Sequence, residues 1–449
     1  SHLWSQVYEA ELTEVFGVQS QIAEQVTTAL DVALRGQERT ALAKGGTRSP
    51  EAYDLYLRGN EYFGRSYDRN DLLGAVELYR KAVALDSSFA LALARLSRAN
   101  AAMYWFYHDR TQARLDDAKR AVDAALRAAP DLAETHIALG YFYYWGERNF
   151  DRALSEFESV QRTQPGNADL LHAIGYVQRR LGRWEEATVS LEEARRYDPR
   201  SPVTTLDLAD TYISRRRYAD GEPLIDRAIQ LAPDWASPYA NKAMLYLLWR
   251  GDRERSRAVV GQALSRVGPG RLAQALTIAD GISASLLTAD TLFGPAVDAV
   301  TAEAFEGDTA RFFMFKAEAA GFRAQHDGER RYADSARRLL EAKVRDHPDD
   351  AKMAVRLGQA YARLGLKDKA IELGRRAVAL TPVSADANSG PFIATHLAEI
   401  YMLVGELDQA VATLEPLLAV ASWISPAELR TDPVWAPLRE HRKFRALSR

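Results

Sequence analysis

The sequence predicts an all-α chain folded as an α-solenoid of about nine helix-turn-helix repeats. Three observations carry that reading: evenly spaced prolines, small residues at fixed offsets from them, and apolar residues recurring at i, i+3, i+4 and i+7 in between. Prolines stand at 130, 165, 199, 233, 348 and 382, and the steps 165 to 199, 199 to 233 and 348 to 382 are each 34 residues. Twelve positions before each proline is Ala118, Ala153, Ala187, Gly221, Ala336 or Ala370; five before is Ala125, Val160, Ala194, Ala228, Lys343 or Ala377. Apart from Lys343, these side chains are compact enough to let two helices approach closely. The prolines end the second helix of each repeat and set the turn to the next.

Taken in order, the repeats are read at about 51–87, 88–130, 131–165, 166–199, 200–233, 234–269, 308–348, 349–382 and 391–422. Insertions between the paired helices are expected around Ser66–Asn70 and His108–Leu115. Residues 270–307 fit the period badly; Gly281-Ile282-Ser283-Ala284-Ser285-Leu286-Leu287 is apolar and helical in character but lacks the expected proline. They are a degenerate repeat or a helical joint between an array at 51–269 and another at 308–422. From Trp423 to Arg449, Trp435, Leu438, Phe444 and Leu447 supply apolar anchors for a terminal cap, which covers the face the last repeat would otherwise expose.

At 449 residues the chain exceeds the roughly 250–300 at which a single core stops growing. Its apolar fraction is 47% and its charged fraction 27%, and no apolar run approaches the roughly 20 residues of a membrane-spanning helix. A net charge of -3 supplies no general attraction to nucleic acid or to anionic lipid, so neither nucleic-acid binding nor direct membrane insertion is expected. With no cysteine there is no disulfide, thiolate nucleophile or Cys-based zinc site, and the compartment is left undecided.

Within the repeats a small residue precedes a Tyr or its substitute by three positions: Gly140 and Tyr143, Gly175 and Gln178, Ala209 and Tyr212, Gly358 and Tyr361, Ala398 and Tyr401. This pattern resembles the tetratricopeptide repeat, most clearly at 351–382 with Leu357-Gly358, Tyr361, Gly365, Ala370, Ala377 and Pro382. Gly374 departs from it, standing where Tyr79 and Phe157 supply a large aromatic in other repeats. The resemblance implies a right-handed superhelix whose first helices line a concave groove.

The N-terminal stretch with Leu3-Trp4-Ser5, Tyr8, Leu12, Val15-Phe16, Val18-Gln19 and Ile22-Ala23 resembles the junction that follows a TolB-like domain. Residues 1–50 are therefore read as the end of a truncated TolB-like domain and its linker helix. The C-terminal run of Ser425, Leu429, Asp432-Pro433, Trp435, Pro437-Leu438-Arg439 and Phe444 resembles the ending of the same proteins. That layout belongs to bacterial signalling proteins with a kinase, cyclase or winged-helix module ahead of the repeats, and implies a chain cut from a longer parent. A membrane span before the TolB-like part would make this region extracytoplasmic; a soluble parent would make it cytoplasmic.

No catalytic signature occurs. The eight histidines, at 2, 108, 136, 172, 326, 347, 396 and 441, form no metal-ligand motif. There is no phosphate loop or nucleophile elbow, so no enzyme activity, cofactor or metal is expected. The informative feature is aromatic: Tyr104-Trp105-Phe106-Tyr107 and Tyr141-Phe142-Tyr143-Tyr144-Trp145 surround a helix on every side, so some rings should face outward or into a groove.

By the register of the resembled family, the groove shows Tyr141, Tyr144 and Trp145, then His172, Tyr176, Arg179 and Arg180, then Asp210. Aromatic and Arg side chains together have the composition of binding hot spots. The alternative is that the rings fill space around the insertions. Lys is absent from the places where some tetratricopeptide proteins grip a terminal carboxylate, which hold Tyr56, Asn60, Ala94 and Arg98. The expected role is a scaffold that binds a protein or peptide partner in the groove. A structural homo-oligomerisation element and a small-molecule or glycan sensor are the alternatives. Groove-facing rings predict that Tyr144→Ala with Trp145→Ala leaves the melting transition nearly in place.

Overall fold

A computed structural model describes residues 46–448 apart from 66, 68 and 279–283. The junction and linker helix expected in residues 1–45 lie outside the described residues. All regular elements among the described residues are helical. The chain divides into two compact units, one ending at Val177 and one beginning at Gln178.

The first unit is built from helical hairpins. Helix α1 (Pro50–Arg65) packs on α2 (Arg69–Leu85), α3 (Ala90–Trp105) on α4 (Gln112–Ala128), and α5 (Ala133–Tyr141) on α6 (Phe150–Gln161). Helix α7 (Ala168–Arg180) contains the residues at which the division falls. The second unit continues with α8 (Trp184–Tyr197) and pairs α9 (Pro202–Ser214) with α10 (Tyr218–Leu231). Helix α11 (Ala236–Arg250) packs on α12 (Arg253–Ile278), which is broken at Gly268 (φ 80°, ψ 165°) just ahead of Pro269.

Between 284 and 306 the chain forms only short pieces, among them α13 (Ser285–Thr288) and α14 (Gly294–Ala299). Regular hairpins then resume: α15 (Thr309–Phe322) with α16 (His326–Asp346), α17 (Ala351–Arg363) with α18 (Lys367–Leu380), and α19 (Ser389–Leu403) with α20 (Leu407–Leu414). The last helices are α21 (Pro426–Thr431) and α22 (Arg442–Leu447).

The sequence pattern explains the packing. Ala118, Ala153, Ala187, Ala336 and Ala370 are wholly buried, as are Ala125, Ala194, Ala228 and Ala377, so the small positions lie where paired helices touch. Gly140 is required because a Cβ there would lie 2.3 Å from the Phe157 ring. At Gly374 the missing aromatic is replaced from the neighbouring hairpin: Leu397 and Ile400 of α19 occupy the space a side chain would need. Helices α4, α6, α8, α10, α16 and α18 each end shortly before the proline that marks their repeat. Side chains of Thr111, Asn149, Ser201, Asp308 and Asp350 accept from backbone N–H groups of the following first turn, closing helix N-termini at about 1 kcal/mol each.

The described residues of the poorly periodic 270–307 region are held by burial rather than by repeat geometry. Leu272, Leu276, Leu287, Val297, Phe305 and Phe315 form one core with Ala243 and Val260. The C-terminal anchors behave similarly, with Trp435, Leu438 and Phe444 buried against Leu397, Tyr401 and Leu414.

Candidate functional site

In the first unit the aromatic run is enclosed. Residues Phe142–Gly146 form a single π-helical turn after α5, and Tyr141, Phe142, Tyr143, Tyr144 and Trp145 are all under 10% exposed. Rings come from every side to cover them. Trp145 lies 4.3 Å from Tyr141, 6.0 Å from Phe106 and 6.1 Å from Tyr67. Tyr144 lies 5.0 Å from Trp105 and 5.9 Å from Phe150. Tyr67 belongs to the first expected insertion and Phe106 to the turn that leads into the second, so the turns between paired helices supply much of the cover.

Beneath these rings Arg98 of α3 is buried, and its Nη2 donates to Asp169 Oδ1 at 2.8 Å and to the Tyr141 hydroxyl at 3.0 Å. The guanidinium also lies 4.0 Å from the Tyr141 ring centre and 5.2 Å from that of Phe63. Burial disfavours a charged Asp169, but Arg98 outweighs it and holds the carboxyl well below the usual range. Burial drives the Tyr141 hydroxyl well above its ordinary value. Neither group exchanges a proton near neutrality. Of the expected groove residues on α7, His172 is buried with its ring 4.6 Å from Tyr176, and Tyr176 is half-buried.

In the second unit one of the expected groove residues, Arg180, meets a part of the chain more than 200 positions later. Arg180 is buried, with Nη1 donating to both oxygens of Asp386 at 3.3 Å, and its backbone oxygen accepts from Ala387 N at 2.8 Å. Arg179 is buried and pairs with Asp207. Asp210 is half-buried and accepts from Asn241 Nδ2 at 2.7 Å.

Further along, Arg216 donates to the backbone oxygens of Val420 (3.0 Å), Leu417 (3.2 Å) and Ile424 (3.3 Å). Ser422 N donates to Ser214 O at 3.0 Å, and Trp423 Nε1 to Ser214 Oγ at 3.0 Å. Ser425 Oγ donates to Leu248 O at 2.7 Å. Trp423 packs on the cluster of Leu206, Ile213, Leu245 and Leu248. Residues 417–425 thus cover the face of α9 and α11 with a polar strap anchored by one tryptophan.

Sequence reasoning did not single out Arg216, which reads as one of three arginines in a solvated turn. Its left-handed backbone (φ 59°) aims it at the strap, a conformation with no sequence signature in a non-glycine residue. The buried polar groups deeper in this unit serve one another: Gln359 Nε2 donates to Glu399 Oε2 at 2.6 Å, and Arg363 bridges Glu329 and Glu399. Among the described residues no group of three or more His, Asp or Glu side chains could hold a metal ion, and no helix is long and apolar enough to cross a membrane. The arrangement offers packing surface and satisfied ion pairs.

Stacked helical hairpins with small residues at each crossing define an all-α solenoid. The chain contains tetratricopeptide repeats: residues 143–202 and 324–385 match one family model described as a tetratricopeptide repeat, and residues 179–245 match a second. A 96-residue stretch is 29% identical to part of putative adenylate cyclase 3 of Rhizobium meliloti (strain 1021), covering 21% of this chain and 16% of that one. The match therefore spans well under two thirds of that relative's length.

Among solved structures, TTC0263, a thermophilic TPR protein in Thermus thermophilus, is 20% identical with a TM-score of 0.37, over 44% of this chain and 100% of that one. Pseudomonas aeruginosa pilF is 19% identical, TM-score 0.33, over 55% and 93%. YrrB, described as a TPR protein with an unusual peptide-binding site, is 18% identical, TM-score 0.30, over 42% and 93%.

Proposed function

We propose that this chain is a non-enzymatic scaffold that binds a protein or peptide partner, serving a bacterial signalling or regulatory protein. The observation that carries the reading is the repeat itself: tetratricopeptide matches over 143–245 and 324–385, in an architecture whose extended surfaces serve recognition. The partial match to a putative adenylate cyclase supports the signalling context. In this proposal Tyr141, Tyr144, Trp145 and His172, all buried, support a binding surface of the first unit from beneath and the half-buried Tyr176 reaches it, while in the second unit the buried Arg179 and Arg180 and the half-buried Asp210 serve that unit's own surface.

A second reading is favoured by the strap. Where residues 417–425 cover α9 and α11, the chain supplies its own occupant, which suits a structural element or spacer. The two readings separate in a capture experiment with the immobilised full chain and bacterial lysate, with excess free chain as competitor. A protein retained saturably and released by the free chain supports the scaffold. Retention that the free chain fails to compete, or none at all, favours the structural element, and light scattering over a dilution series then tests for a homo-oligomer.

A further inference from the structure

The strap continues into α21, which packs against α11, and that seam contains two fully buried carboxyl groups. Glu428 and Asp432, one helical turn apart, are both 0% exposed. The approach is close: a Cβ on Gly251, which ends α11 in a left-handed conformation (φ 67°), would lie 2.6 Å from the Thr431 methyl. Ser425 caps α21, its hydroxyl accepting from Glu428 N at 3.0 Å while donating across the seam to Leu248 O.

The two carboxyls are not equivalent. Asp432 Oδ1 accepts from Val434 N at 2.9 Å and Oδ2 from Ser285 Oγ at 3.0 Å, and Arg439 donates to its backbone oxygen at 2.9 Å. Glu428 Oε1 accepts from Trp435 Nε1 at 2.6 Å, whereas Oε2 is buried with no hydrogen-bond partner among the described residues. An ionised Oε2 there would be a charge without solvation, beside a second carboxylate.

We propose that Glu428 and Asp432 form a proton-dependent latch: while Glu428 carries a proton the C-terminal strap stays closed on α9 and α11, and loss of that proton to solvent loosens the seam. The proposal goes beyond the scaffold reading, since it concerns the chain alone and stands or falls without a partner.

The surrounding charges agree with the direction. Burial and the neighbouring Asp432 push Glu428 well above the usual carboxylate range. Burial also raises Asp432, to about 6, against the lowering influence of its hydrogen bonds and of Arg253 and Arg439. Tyr218 of α10 faces Glu428, and Glu318 of α15 faces Asp432. Glu318 is itself raised to about 8, first by burial, and is faced in turn by Arg363 and Glu399. Of the described charged groups around the pair, the cations flank Asp432, so Glu428 is the site that keeps the proton.

The test is hydrogen exchange by mass spectrometry on the full chain from about pH 6 to about pH 9, corrected for intrinsic exchange. Above the ordinary glutamate pKa, where the opened seam releases the proton that the closed seam keeps, opening should rise about tenfold per pH unit, the slope for release of one proton, and level off once the closed seam titrates as well. Peptides covering 205–214, 236–250 and 417–432 should lose protection together, while those from α1 to α6 stay unchanged. Glu428→Gln, which keeps a neutral group of the same shape, should flatten the dependence, and Asp432→Asn, which removes the carboxylate that raises Glu428, should make the rise level off at lower pH. Protection in the native chain that does not change with pH overturns the latch. So does an equal slope in native chain and Glu428→Gln, and the native series decides the matter alone should that variant fail to fold.

Discussion

Replacing Trp145 with alanine tests whether the aromatic run is core. The indole is 5% exposed and is packed by Tyr141, Phe106, Tyr67 and Tyr144. An aromatic side chain buries about 150–250 Å². At about 25 cal/mol per Å² that area is worth about 4–6 kcal/mol, an upper bound because the unfolded chain already hides part of it. Tyr67 and Phe106 are half-buried rather than locked in the core, so the site can partly collapse and the expected loss is about 3 kcal/mol, at the lower end for Trp→Ala. For a unit of this size each kcal/mol moves the melting temperature about 2–4 °C, giving a fall of about 6–12 °C.

Thermal scans followed by far-ultraviolet circular dichroism would show it as an early transition from the first unit. Leu85→Ala, at a side chain 47% exposed, is the control and should change stability by less than about 0.5 kcal/mol. A Trp145→Ala melting temperature within about 1 °C of the native value would refute the packing argument and return the ring to a solvent-facing groove.

Three further outcomes follow from the same reasoning. Gly140→Ala forces a methyl into the Phe157 ring and should lower stability by about 1–3 kcal/mol in urea titration, whereas Gly64→Ala, with open space around it, should raise it by about 0.5–1 kcal/mol. Arg180→Ala leaves the buried Asp386 without its guanidinium and should lose about 3–5 kcal/mol in the second unit's urea transition; adding Asp386→Asn should recover part of that, since the neutral side chain still accepts the Asn388 and Ser389 N–H groups. Asp308 is opposed by burial but held well below the usual carboxylate range by Arg311, Arg356 and Lys343. Its contribution is therefore present above the ordinary carboxylate pKa and lost as pH falls below it, so Asp308→Asn should flatten the acid limb of the second unit's stability profile.

The repeat was legible because its causes are local. A proline ends a helix wherever it stands, and an alanine or glycine at a helix crossing is needed at the same offset in every hairpin, so Ala118, Ala153, Ala187 and Ala370 announce the packing without reference to anything distant. The aromatic run was harder. Five consecutive rings on a regular helix should leave some exposed, but a π turn re-aims them, and the turns holding Tyr67 and Phe106 close the remaining directions. No period in the sequence states that two such turns meet over a third repeat.

What the sequence determined by itself is the class of architecture: paired amphipathic helices and their turns. Tertiary structure alone decided which of those surfaces remain available. Arg180 and Asp386 are 206 positions apart, and Arg216 and Val420 are 204 apart, separations over which neither periodicity nor propensity carries information. Those pairs meet because the end of the second unit packs back on its beginning. The same return placed Glu428 and Asp432 out of water. Spacing along a chain specifies how neighbours pack, while solvent exclusion depends on every element that arrives from elsewhere.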